Sequence, residues 1–215
     1  MSGHVLLLHG IHMHAWTMLP FARLLKRQNL AVETFGYYSV WQTHAHHTAA
    51  LAEAARAFFR RHPDTPLHFA GHSLGGLVLR RFAAAHPELV RGRIVTLGTP
   101  HAGSAAAEAV RRYGMGVPLL GGAYRQMLDG NLPPLPEGVE LGSIAGCKPM
   151  GVGRVFGLRG GNDGTVQVDE TRLAGMSGHI VLPVSHTGML YDETTAMQAA
   201  AFLRHGRFAK HDGIF

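Results

Sequence analysis

The sequence predicts an α/β fold in which a largely parallel sheet is wrapped by helices. Short apolar runs of strand length alternate with stretches of helical periodicity along most of the chain. These runs are mostly apolar throughout, not strictly alternating, as strands buried on both faces are. One run, Leu67-His68-Phe69-Ala70, leads through a tight turn of small residues, Gly71-His72-Ser73-Leu74-Gly75-Gly76, directly into a helical stretch. With 215 residues, 46% apolar and 16% charged, the chain is long enough for one well-formed core and too apolar for disorder. A single domain over residues 1–215 is expected.

The elements follow in order. Strands are expected at 4–8, 31–36, 67–71, 93–97, 139–145 and 178–184, with a further short strand at 154–158. Helices are expected from Trp16 to Leu25, from Thr48 to Phe59, from Leu74 to Ala85 and from Glu193 to Leu203. The third stops before His86-Pro87, where proline disfavours helical backbone in the residue preceding it. Residues 101–138 break the rhythm. They carry Tyr113-Gly114-Met115-Gly116-Val117-Pro118 and later Leu132-Pro133-Pro134-Leu135-Pro136, too much Gly and Pro for one regular element. An excursion of this length between two strands is expected to be a lid or cap over a site, or else a structural insertion on its rim. Its Met115, Val117, Leu119 and Leu120 suit an acyl-binding wall and equally suit a small local core.

The chemistry starts at Ser73. A strand–turn–helix with glycines at 71 and 75 lifts the hydroxyl out of the sheet to a helix N-terminus, where N–H groups favour developing negative charge. A serine needs a base, and the base needs a partner that fixes its tautomer. Asp163, in Gly161-Asn162-Asp163-Gly164-Thr165, is the candidate acid, with Asp129 and Asp169 as competitors. His186, in Ser185-His186-Thr187-Gly188, is the candidate base, with His101 as its rival, while His72 is expected to point elsewhere. The chain order Ser, Asp, His favours this assignment. The oxyanion donors are expected at the backbone N–H of Leu74 and of Ile11, the latter aimed by the turn at Gly10.

Taken together, Leu8-His9-Gly10-Ile11, the Gly71–Gly76 turn, Leu97-Gly98-Thr99-Pro100-His101-Ala102-Gly103-Ser104, Asn162-Asp163-Gly164-Thr165-Val166 and Ser185-His186-Thr187-Gly188 resemble the α/β-hydrolase superfamily. Within it, the chain resembles small bacterial triacylglycerol lipases and the related inositol-deacylase-like proteins. The resemblance spans about residues 4–192. It implies an α/β-hydrolase fold with a minimal six-stranded sheet, because the family's first two antiparallel strands have no counterpart ahead of residue 4. It also implies a carboxylic-ester hydrolase with Ser73 as nucleophile, Asp163 as orienting acid, His186 as base, and Ile11 and Leu74 as the oxyanion hole. Acyl transfer or thioester hydrolysis on the same triad, and a non-catalytic binding role, are the alternatives.

Other classes fit less well. The net charge of +6 comes from scattered pairs such as Arg60-Arg61, Arg80-Arg81 and Arg111-Arg112, without the interleaved aromatics of a nucleic-acid motif. These pairs read as solvated surface, compatible with weak contact to a lipid surface. The histidines at 12, 14, 44, 46 and 47 lack a carboxylate or cysteine at a recognised ligand spacing, so no metal or other cofactor is expected. The single cysteine, Cys147, forms no internal disulfide, and the N-terminal apolar run reads as a strand and not a leader. A cytoplasmic protein acting on a small ester or lipid is the resulting expectation.

Overall fold

Strands β1 (His4–Leu8), β2 (Ala31–Phe35), β3 (Leu67–His72), β4 (Ile94–Leu97), β5 (Leu141–Gly146) and β6 (Gly178–Leu182) pair in the order β2-β1-β3-β4-β5-β6. Every pairing is parallel. This is a computed structural model, and it describes residues 3–115, 119–121, 127–150, 158 and 160–210. The further strand expected at 154–158 lies outside the described residues except for Leu158.

Alternation along β1 shows how the sheet feeds two cores. Leu6 and Leu8 join one apolar cluster with Leu51, Phe58, Leu77 and Phe82. Val5 and Leu7 join the other with Phe21, Leu25, Ala199 and Phe202. The first cluster lies under α2 (His44–Arg61) and α3 (Leu74–Ala85), and the second under α1 (Leu19–Arg27) and α5 (Glu193–His205). Both faces are covered, which is why the inner strands read as unbroken apolar runs. The edge strands β2 and β6 are only partly buried along most of their length.

Helix boundaries follow the caps. α2 begins four residues before the expected Thr48, because the Thr43 side chain accepts a hydrogen bond from the His46 N–H at 3.3 Å. α5 opens on Asp192, which accepts from the Thr195 N–H at 2.6 Å, and closes on Gly206 in the left-handed conformation.

Residues 101–138 contain a regular element after all. Helix α4 (Ala105–Arg112) starts at Ser104, whose side chain accepts from the Ala107 N–H at 3.1 Å. Ala107, Val110, Leu120, Met127, Leu128 and Leu132 are buried in the same cluster as α2 and α3. Arg80 of α3, expected at the surface, is instead buried against this segment. Its guanidinium donates to the carbonyls of His101, Leu132 and Pro133 at 2.8, 2.9 and 2.9 Å. Among the described residues, no helix is long and apolar enough to cross a membrane.

The strand order reverses around β1, since the chain leaves it for β2 on one side and returns to β3 on the other. In open parallel sheets such a reversal leaves a crevice at the C-terminal strand ends. Gly10 and Ser73 follow the C-terminal ends of β1 and β3 there.

Candidate active site

Ser73 sits at the tip of the β3–α3 turn with φ 53° and ψ −121°, a conformation that L-residues rarely adopt and that costs about 1–3 kcal/mol. The surroundings hold it there. Its N–H donates to the Leu97 carbonyl at 2.8 Å, and its carbonyl accepts from the Gly76 N–H at 3.1 Å and the Thr99 hydroxyl at 3.0 Å. The glycines are required by proximity. A Cβ on Gly71 would lie 2.6 Å from the Gly76 nitrogen, and one on Gly75 would lie 2.6 Å from the carbonyl oxygens of Leu8 and His9.

Asp163 and His186 meet beyond the end of β4. The His186 Nδ1 donates to Asp163 Oδ2 at 2.7 Å, and the His186 N–H donates to the Asp163 carbonyl at 2.9 Å. The other carboxylate oxygen, Oδ1, accepts from the N–H groups of Thr165 and Val166 at 2.9 and 2.7 Å. Asp163 is 1% exposed. A carboxylate accepting from Nδ1–H fixes the imidazole tautomer and leaves Nε2 as the basic nitrogen. Gly98 lies beneath the pair, since a Cβ there would come within 2.9 Å of both Asp163 Oδ2 and His186 Nδ1. Leu97 anchors Ser73 and its neighbour Gly98 abuts the pair, so the end of β4 gauges the positions of Ser73 and His186 together.

The loop after β1 reaches the same place. A Cβ on Gly10 would be 3.2 Å from the Ser73 Cβ. His12 in this loop has φ 57°, and its N–H donates to Ser39 Oγ at 3.1 Å. Of the three described non-glycine residues with positive φ, two are Ser73 and His12, so backbone strain is concentrated at this site. The structure thus brings Ser73, Asp163, His186 and the Gly10–Ile11 loop together, and Leu74 opens α3, where the first N–H groups have no intrahelical partner. Of the residues expected to form an acyl wall, Met115 and Leu119 are half-exposed and joined by the Leu119 N–H to the Met115 carbonyl at 3.1 Å, the Leu119 carbonyl meets the His12 ring of the Gly10 loop, Leu120 is in the core, and Val117 lies outside the described residues.

Three histidines outside the pair have clear structural roles. His72 does not point away from the site. Its ring centre is 4.6 Å from that of His186, and its Nε2–H donates to the His186 carbonyl at 3.0 Å. Burial first, then the nearby His186, lowers its pKa to about 3, so the ring is neutral. Its Nδ1 has no hydrogen-bond partner among the described residues and lies against Gly10. His9 stacks on Tyr37 with centres 4.2 Å apart, and the Tyr37 hydroxyl donates to the His9 carbonyl at 2.6 Å. His101, the rival base, is buried beside Thr96, with Nε2 3.0 Å from the Thr96 hydroxyl, and burial lowers its pKa to about 3. The contacts of His72 and Tyr37 arise between residues 28 to 114 positions apart, a separation with no sequence signature.

Glu170 couples two loops. One carboxylate oxygen accepts from the Ala105 N–H at 2.6 Å at the start of α4, and the other accepts from the Gln167 N–H at 2.9 Å in the loop carrying Asp163. Burial raises its pKa. Among the described residues, no group of three or more His, Cys, Asp or Glu side chains is arranged to hold a metal ion.

Comparison with known proteins agrees with this architecture. No curated protein sequence matches the chain. Among solved structures it is similar to a Bacillus licheniformis lipase in mature form, with a TM-score of 0.78 and 18% identity over 96% of this chain and 93% of that one. It is also similar to a phospholipase from Legionella pneumophila, with a TM-score of 0.71 and 16% identity over 96% of this chain and 60% of the other. A metagenomic carboxyl esterase gives 0.67 and 15% over 86% and 64%. At these identities the likeness is one of fold. The sequence model of the alpha/beta hydrolase fold family matches residues 3–130, more than half of the chain. The strand order, the elbow at Ser73 and this match agree, and the chain belongs to the α/β-hydrolase fold family.

Proposed function

We propose that the protein is a serine carboxylic-ester hydrolase of the lipase or esterase type. The observation that carries the reading is the buried 2.7 Å His186–Asp163 pair set against the same strand end that anchors a strained Ser73. In the reaction, His186 Nε2 takes the Ser73 proton as Oγ bonds to the ester carbonyl carbon. The tetrahedral oxyanion is stabilised by the N–H groups of Ile11 and Leu74. Collapse breaks the bond to the alcohol oxygen, which leaves with the proton from His186. Water, deprotonated by His186, then attacks the acyl-Ser73 carbonyl and releases the carboxylic acid and free serine. Asp163 orients the imidazole and offsets its positive charge after each proton transfer.

The buried pair favours catalysis over a purely binding role, because a bound ligand gains nothing from a base whose tautomer is fixed beside a strained serine. The test is hydrolysis of p-nitrophenyl esters from acetate to palmitate by the unsubstituted protein and by Ser73→Ala. The expected result is turnover by the first and a loss of about 10³-fold or more in kcat in the second. Equal rates would overturn the mechanism. Lipases and a phospholipase among the similar folds make lipid esters the first substrates to try.

A further inference from the structure

Beside the loop that touches Ser73 lies a cavity of about 730 Å³, and its walls are made largely of rings. His9, which precedes Gly10, stacks on Tyr37 with an interplanar angle of 13°. Tyr37 meets His47 edge-on at 4.7 Å, and on the other side His14 lies 6.4 Å from His9 and stacks at 6.5 Å with Trp16. Tyr38 and His46 line it on the solvent side, with Gln42 between them in the chain. The volume is that of an ordinary small-molecule site.

The chemistry of this wall is selective. No Lys, Arg, Asp or Glu lines the cavity. It therefore offers no carboxylate to an ammonium group, and neither a lysine nor an arginine to an anion. Burial lowers the pKa of both His9 and His47, which favours the neutral form of these two rings. His9, Tyr37 and His47 are buried behind the wall, so the ring surface open to an occupant is that of Trp16, Tyr38 and His14, and it favours a flat partner, which gains stacked and edge-to-face contacts that a puckered ring or alkyl chain does not. Ser73 is not among the lining residues, but His9 is, and the next residue, Gly10, lies against Ser73, so the cavity and Ser73 are separated by one turn of backbone.

We propose that this cavity binds an uncharged, flat aromatic part of the ester substrate, alongside the reacting carbonyl at Ser73. The proposal rests on the ester-hydrolase reading for its context and adds a substrate class to it. The shared chemistry is an aromatic ring carried on either the alcohol or the acyl half.

The experiment uses the Ser73→Ala protein, in which esters bind without turnover, and measures affinity by calorimetry. The probes are 2-naphthyl acetate, with the ring on the alcohol, methyl 2-naphthoate, with the ring on the acyl group, the saturated decahydro-2-naphthyl acetate, and acetylcholine. At least one naphthyl ester is expected to bind about 5- to 10-fold more tightly than the saturated ester. That preference is expected to disappear in Ser73→Ala/Trp16→Ala. Trp16 is 67% exposed, so its removal leaves the core intact. A preference for 2-naphthyl acetate assigns the ring to the alcohol, and one for methyl 2-naphthoate assigns it to the acyl group; either supports the proposal. Equal affinity for flat and saturated esters, tighter binding of acetylcholine, or an aromatic preference that survives loss of Trp16 would overturn it. Fluorophosphonate labelling of the unsubstituted protein tests the Ser73 nucleophile separately, so failure of the pocket and failure of the hydrolase reading give different results.

Discussion

The elbow at residues 71–76 and the described part of the segment at residues 101–138 are held in different ways. In the elbow the constraint is local and steric: Gly71 packs against Gly76, and Gly75 packs against the backbone of Leu8 and His9. The segment at 101–138 is held by bonds to distant side chains. Arg80 ties His101 to Leu132 and Pro133, and Glu170 ties Ala105 to the Asp163 loop. Local steric rules leave a motif in the sequence, whereas buried polar clamps leave only an arginine and a glutamate that look like surface residues.

The sharpest test of the steric side is Gly75→Ala. The new Cβ would overlap two backbone carbonyl oxygens, which have little room to move, so a loss of about 3 kcal/mol or more in urea unfolding is expected. A stable, active Gly75→Ala protein would break the comparison. On the clamp side, Arg80→Met leaves three buried carbonyls without their donor. The expected loss is about 2–3 kcal/mol, with added protease sensitivity confined to 101–138. Limited proteolysis followed by mass spectrometry reads it, and uniform sensitivity along the chain would count against a local clamp.

His72 stands between the two cases, since it belongs to the elbow but acts through a distant carbonyl. His72→Phe keeps a ring but removes the donor to His186. A fall of about 10- to 100-fold in kcat is expected, with KM little changed. His72→Gln, which retains a donor, should recover part of that loss and part of the fluorophosphonate labelling rate. A merely space-filling role predicts the reverse order for the two variants.

The most gradual effect is on pH dependence. Burial lowers the pKa of His72 and His101 to about 3 and of His68 to about 4, against an ordinary value of 6.5. Between these limits the unfolded chain binds more protons than the folded one. Stability is therefore complete above about pH 6.5 and falls as the pH drops through the window from 6.5 towards 3–4, by up to about 1.4 kcal/mol per pH unit for each ring. Urea midpoints at pH 7.5, 6 and 5 measure the slope. His101→Gln should flatten it by up to one proton, and an unchanged slope would mean that His101 is not held neutral.

Much of this protein was legible in its sequence. Local apolar runs placed all six strands to within a few residues, because parallel strands buried on both faces need continuous apolar side chains. The turn glycines and the order of Ser73, Asp163 and His186 marked the residues that the fold gathers at one end of the sheet. α4 was missed because the glycines and prolines downstream obscured a cap and two turns of alanine-rich helix. The histidine-rich stretches were equally opaque, since no local pattern separates a buried His72 or His9 from a solvated one.

Sequence by itself determined the elements, their order and the turn at Ser73, because hydrophobic periodicity and glycine sterics act over neighbouring residues. Tertiary structure alone decided that Arg80 is buried, that His72 holds the His186 carbonyl, and that seven rings from α2 and the loops after β1 and β2 line one cavity. Each of those outcomes depends on the distance between residues far apart along the chain, and such distances are set only when the sheet order brings the strand ends together.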